Sequence, residues 1–196
     1  MRKLCTIENT TQENHAETYG QQWLDQSKYW ASLHYHIRYQ KKFIDLLGIG
    51  GSTKILECGS GTGDIAQFVM EQFLSEDGPN VDFYLVDISD TLLKAVRNNL
   101  APPKRVRPHL VKATTEILPF DNDFFDRVYA LSMLWYSPDP KRSILDMLRI
   151  LKPGGVLCFD IMSGLSTTGI IGNISNKMSS ILLGRQRVRY LLPHNI

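Results

Sequence analysis

Three scarcities bound what this chain can be. It has only three cysteines, Cys5, Cys58 and Cys158, an odd number with no Cys-x-x-Cys spacing. Neither a disulfide framework nor a thiolate zinc site is signalled, and a reducing compartment fits best. Neither sign of charge is in excess: 22 Lys+Arg against 20 Asp+Glu leave a formal +2, which argues against a dedicated nucleic-acid surface. The local clusters Lys104/Arg105/Arg107 and Arg185/Arg187/Arg189 read as solvated loops and helix faces. Long apolar runs are missing too. No stretch approaches the roughly 18 uninterrupted apolar residues of a membrane span, and the opening MRKLCTIENTTQENHAE has no apolar signal-peptide core. These absences point to a soluble cytoplasmic protein.

What is present suits one core. At 196 residues and 43% hydrophobic, the length prior gives a single domain over residues 19–196, preceded by a polar, aperiodic and mobile stretch over 1–18. Apolar residues at helical spacing predict an amphipathic helix from Tyr29 to Leu47, stopped by glycines. Short apolar runs (KILE, VDFYLVD, HLVKA, FDRVYALSM, GVLCFDIM) then alternate with helical segments. Strands apolar on both faces, in strict succession with helices, predict a doubly wound α/β fold with a mostly parallel sheet.

The stretch ILECGSGTGDIA follows the first of those strands. Gly59, Gly61 and Gly63 let the chain turn sharply and let a ligand approach a bare backbone, ahead of a helix N-terminus. In such sheets the ligand sits at the carboxyl ends of the strands, where the first strand turns into its helix. A dinucleotide fingerprint needs G-x-G-x-x-G, but here the third glycine position holds Asp64, which would repel a pyrophosphate. Glu57, two residues before the first glycine, favours a ligand with a cationic group nearby. Asp87 ends the second strand, where a carboxylate accepts from ribose hydroxyls. Ribose alone does not separate a nicotinamide dinucleotide from other nucleosides.

Taken together, ILECGSGTGD, YLVDIS, TTEILPFDNDFFDRV and RILKPGGVLCFD, in that order, resemble the class I S-adenosylmethionine-dependent methyltransferases. The likeness is strongest to the ubiquinone/menaquinone-type, small-molecule branch, and it covers about residues 50–162. The resemblance implies a Rossmann-like sheet of order 3-2-1-4-5 and S-adenosylmethionine as cofactor. Glu57, Gly59, Gly61 and Gly63 would hold its methionine half, Asp87 its ribose, and Ile88 would pack on the adenine. The family's adenine-reading aspartate falls on Thr114, so Thr114 or a backbone group would have to serve instead, with Thr115 beside it in the cofactor site. Leu131 and Ser132 would line the cofactor, and the helix from Tyr29 to Leu47 would act as part of a lid.

The expected reaction is in-line methyl transfer to a small molecule, for which positioning in a dry pocket matters more than covalent help. No catalytic base and no metal site is legible. Trp135, Tyr136 and His34 are the candidate substrate contacts, while His109 reads as structural. The alternative is a non-catalytic cofactor-binding or regulatory module of the same fold. After the fifth strand the family adds a helix and two antiparallel strands, whereas here NISNKMSSILL reads as a covering helix and LLPHNI as the opening of the next one. The domain is therefore expected to be C-terminally incomplete. Strand five would then be an edge, covered by the tail or by a second copy in a homodimer.

Overall fold

A computed structural model describes residues 14–26, 44–74, 77–160 and, by backbone, 187–191. Helix α1 spans residues 14–26 and a helical turn, α2, residues 44–47. There follow β1 (Lys54–Cys58), α3 (Asp64–Phe73), β2 (Val81–Asp87), α4 (Asp90–Asn99), β3 (Val106–Lys112), β4 (Phe125–Ala130), α5 (Pro140–Arg149), β5 (Leu151–Asp160) and β6 (Arg187–Leu191). The sheet runs β3-β2-β1-β4-β5-β6 and every pair is parallel. The first five strands thus stand in the order that the family resemblance implies. Because β1 has β2 on one side and β4 on the other, the switch point falls at its carboxyl end, where the glycine loop begins.

The central strands β1, β2 and β4 are largely buried because both faces of the sheet are covered there. Ile55 joins Phe83 and Leu85 under α3, whose Ala66, Val69 and Met70 are fully buried. Leu56 and Cys58 point the other way, into a core closed by Ile144, Met147 and Leu148 of α5. This alternation follows from the two-residue period of a strand. Helix starts are marked locally. Ser89 caps α4 by accepting from Leu92 N, and Asp139 caps α5 from Arg142 N with Pro140 in the first turn. Asp126 ties the sheet together from below, accepting from Thr53 N and Lys54 N at 2.9 Å and from Lys152 Nζ at 2.7 Å.

Several expectations change. Residues 14–18, expected to be irregular, form the start of α1, whereas residues 1–13 lie outside the described residues. Most of the helix expected from Tyr29 to Leu47 lies outside them as well, as does the covering helix expected in NISNKMSSILL. The KPGG segment, expected as a turn ahead of strand five, is inside β5 at a bulge, where pairing shifts from Phe125↔Leu151 to Arg127↔Val156. Strand β6 is new. It pairs Val156↔Arg187 through Asp160↔Leu191, so the tail covers the β5 edge, and Leu191 ends a strand rather than opening a helix. The parallel pairing is possible because a long connection precedes it.

Candidate active site

The carboxyl ends of β1, β2 and β4 surround a cavity of about 560 Å³. Its floor is the glycine loop. Gly59 N and Ser60 N both donate to Val86 O, at 2.8 and 3.0 Å, drawing the loop over β2. Gly59 has φ +73°, and a Cβ there would lie 2.6 Å from Met133 Cβ. Gly61 has φ +53°, with Trp23 Nε1 only 3.1 Å from a Cβ built on it. A side chain at either position would strain the backbone and fill contact space that other walls use. Gly63 lines nothing in the cavity. It serves as the left-handed N-cap of α3.

Asp87 sits beside this loop at the end of β2 and is buried. Its Oδ2 accepts from Gly61 N and its Oδ1 from Ser89 N, both at 3.0 Å. Burial pushes its carboxyl above the ordinary range, against the lowering effect of the Ser89, Gly61 and Ile88 N–H groups. Each oxygen keeps a further lone pair for a ligand donor. Asp87 and Ile88 both line the cavity.

Glu57 departs from expectation. It is not part of the cavity wall, because it alternates with Leu56 and Cys58 and turns inward toward the α3 face. It is 1% exposed, and its Oε2 has no hydrogen-bond partner. Burial holds its carboxyl well above the usual carboxylate range, opposed by the Tyr129 hydroxyl and reinforced by Asp87 and Asp64. A buried carboxyl so placed gains from any donor or cation that reaches it.

The remaining candidates divide. Thr114, Thr115, Leu131 and Ser132 all line the cavity, but the Thr115 hydroxyl is engaged by Ser143 Oγ at 2.8 Å. Tyr136 lines it; Trp135 does not and packs 5.8 Å from the Tyr136 ring. His34 lies outside the described residues. His109, in the middle of β3 rather than at its start, bonds Asp82 at 2.8 Å and stacks on Tyr84, a structural role.

Sequence reasoning missed the whole contribution of α1. Ala16, Tyr19 and Trp23 face the cavity, and Tyr19 lies 4.7 Å from the Tyr136 ring. Helix α1 is held by Glu17, which accepts from Asp90 N at 2.6 Å and Thr91 N at 3.1 Å at the start of α4. Gly20 allows the close approach, since a Cβ there would meet Ser89 Oγ at 2.2 Å. The i, i+3, i+7 spacing of Ala16, Tyr19 and Trp23 was the available signal.

A parallel sheet with this strand order, a glycine loop at its switch point and an acidic residue ending β2 define a nucleoside-binding α/β enzyme class. Residues 56–159 match the profile of the methyltransferase domain family, described as "Methyltransferase domain". The chain belongs to that family, whose methyl donor is S-adenosylmethionine. It is 36% identical over 104 residues to a ubiquinone/menaquinone biosynthesis C-methyltransferase UbiE of Bordetella avium, covering 53% of this chain and 39% of that one. The UbiE of Idiomarina loihiensis is 33% identical over 135 residues, covering 68% and 52%. The chain therefore spans about half the length of the curated relatives it matches. Its fold matches that of an S-adenosylmethionine-dependent methyltransferase of Thermotoga maritima with a TM-score of 0.58, at 21% identity over 89% of this chain and 75% of that one.

Proposed function

We propose that this chain holds the donor site of an S-adenosylmethionine-dependent methyltransferase acting on a small-molecule acceptor. The carrying observation is the pairing of Asp87 with the glycine loop: a buried carboxylate fixed by Gly61 N–H, with acceptor capacity facing a cavity whose floor is bare backbone. Ribose hydroxyls match Asp87, and the adenine matches Ile88 and the segment at Thr114. The methionine carboxylate matches the N-terminal side of α3, while Glu57, buried outside the cavity wall, makes no direct contact with the donor in this reading. Asp64 at the start of α3 accepts from Thr62 Oγ1 at 2.6 Å, a poor surface for a pyrophosphate and a tolerable one for a single carboxylate.

When bound, S-adenosylmethionine supplies a sulfonium-activated methyl group for in-line displacement by the acceptor. The chain's own residues supply enclosure. Tyr19, Trp23, Phe68, Leu131 and Met133 give the cavity an apolar wall, which excludes water and holds the partners in orientation. Calorimetric titration with S-adenosylhomocysteine, with NADH as the competing nucleotide, tests the reading. Saturable binding of the former and none of the latter is expected. A folded sample that binds NADH instead, or neither, refutes it.

A further inference from the structure

Ser132 is one of two non-glycine residues with positive φ among the described residues, at φ +55°. Unlike Asp123, the other, it lines the cavity. A serine there sits in the left-handed region at a cost, and such conformations persist only where the surroundings impose them. What imposes this one is on the next strand. Asp160, the last residue of β5 and 4% exposed, accepts from Ser132 N at 2.7 Å through Oδ1 and faces Ser132 Oγ at 3.4 Å through Oδ2.

The turn at Ser132 has a consequence at the cofactor loop. It sends the chain back so that Met133 packs its Cβ against Gly59, where no side chain would fit. Leu131, Ser132 and Met133 all line the cavity. Asp160 itself does not line the cavity, yet through Ser132 it fixes the backbone from which three wall residues project. We propose that Asp160 is a positioning residue, which shapes the cofactor site by holding Ser132 in its left-handed turn. This rests on the donor-site reading above.

The test is a binding cycle with S-adenosylhomocysteine as the probe, measured on the full chain. Glycine adopts a left-handed conformation at no penalty, so S132G removes the need for an imposed turn. D160A is expected to weaken binding about tenfold in the wild-type background and less than threefold in the S132G background. A residue that merely stabilised β5 would cost the same in both. D160N keeps one oxygen acceptor for Ser132 N and is expected to lose about threefold; should D160A not fold, D160N with and without S132G runs the same cycle at smaller amplitude. Wild-type binding with D160A undiminished, or diminished equally in both backgrounds, overturns the inference alone. A folded wild-type chain that does not bind overturns the donor-site reading and the inference with it.

Discussion

Replacing Gly59 by alanine probes whether the glycine loop is shaped by its neighbours or merely permissive. Two costs apply. The backbone at φ +73° penalises any Cβ by about 1 kcal/mol. The new atom also falls 2.6 Å from Met133 Cβ and 2.9 Å from its Cγ, so packed backbone must shift, an overpacking cost of about 1–3 kcal/mol. The sum, roughly 2–4 kcal/mol, is a large part of the 5–15 kcal/mol typical of a domain. Gly154 supplies the control, with φ +81° and nothing within 4 Å of a built Cβ; G154A bears only the backbone part, about 1 kcal/mol. Thermal denaturation should show G59A lowered by about 5–15 °C and G154A by about 2–4 °C. M133A leaves its Cβ in place and should rescue little. If G59A is no less stable than G154A, the close packing of the 131–133 turn against the loop is wrong.

Other expectations follow from single contacts. Burial alone would raise the Asp126 carboxyl, but the Lys152 ammonium and the Thr53 and Lys54 N–H groups hold it down, from an ordinary 3.8 to about 2. Its contribution is present above the unfolded value and is lost as pH falls through the folded one. Acid unfolding should therefore lose about 2 kcal/mol between roughly pH 4 and 2 that D126N does not lose. Arg149 donates to Phe120 O at 2.7 Å, Leu118 O at 2.9 Å and Asn122 Oδ1 at 3.1 Å; R149A should cost about 2–3 kcal/mol and speed amide exchange across residues 114–124 by mass spectrometry. Trp23 borders the glycine loop, so binding of S-adenosylhomocysteine should change the intrinsic fluorescence, and W23F should remove more than half of that change.

How much of this was legible in the sequence depends on where the information sits. The glycine loop, Asp87 and the doubly wound parallel fold were legible because local chemistry sets them: backbone freedom at Gly59 and Gly61, a strand-end carboxylate, and apolar runs buried on both faces. The strand order was legible only through the resemblance to the methyltransferases. Glu57 was legible as important but not in its direction, since a one-residue alternation with Leu56 and Cys58 turns it away from the cavity. Helix α1 was hidden by composition. Its inward face is only Ala16, Tyr19, Gly20, Trp23 and Leu24 amid polar residues, and it is docked through Glu17 onto Asp90 and Thr91, more than 70 positions away. Strand β6 was misread because Arg187 and Arg189 suggested a solvated cluster, although RVRYL alternates as a strand does. The hold of Asp160 on Ser132 spans 28 positions and leaves no local trace.

The most direct test of the central claim is a crystal structure of the chain with S-adenosylhomocysteine. The account predicts both ribose hydroxyls within hydrogen-bonding distance of the Asp87 carboxylate, with the amino-acid end over the glycine loop. A nucleoside seated elsewhere, or one in this cavity that leaves Asp87 without a ribose contact, would contradict it.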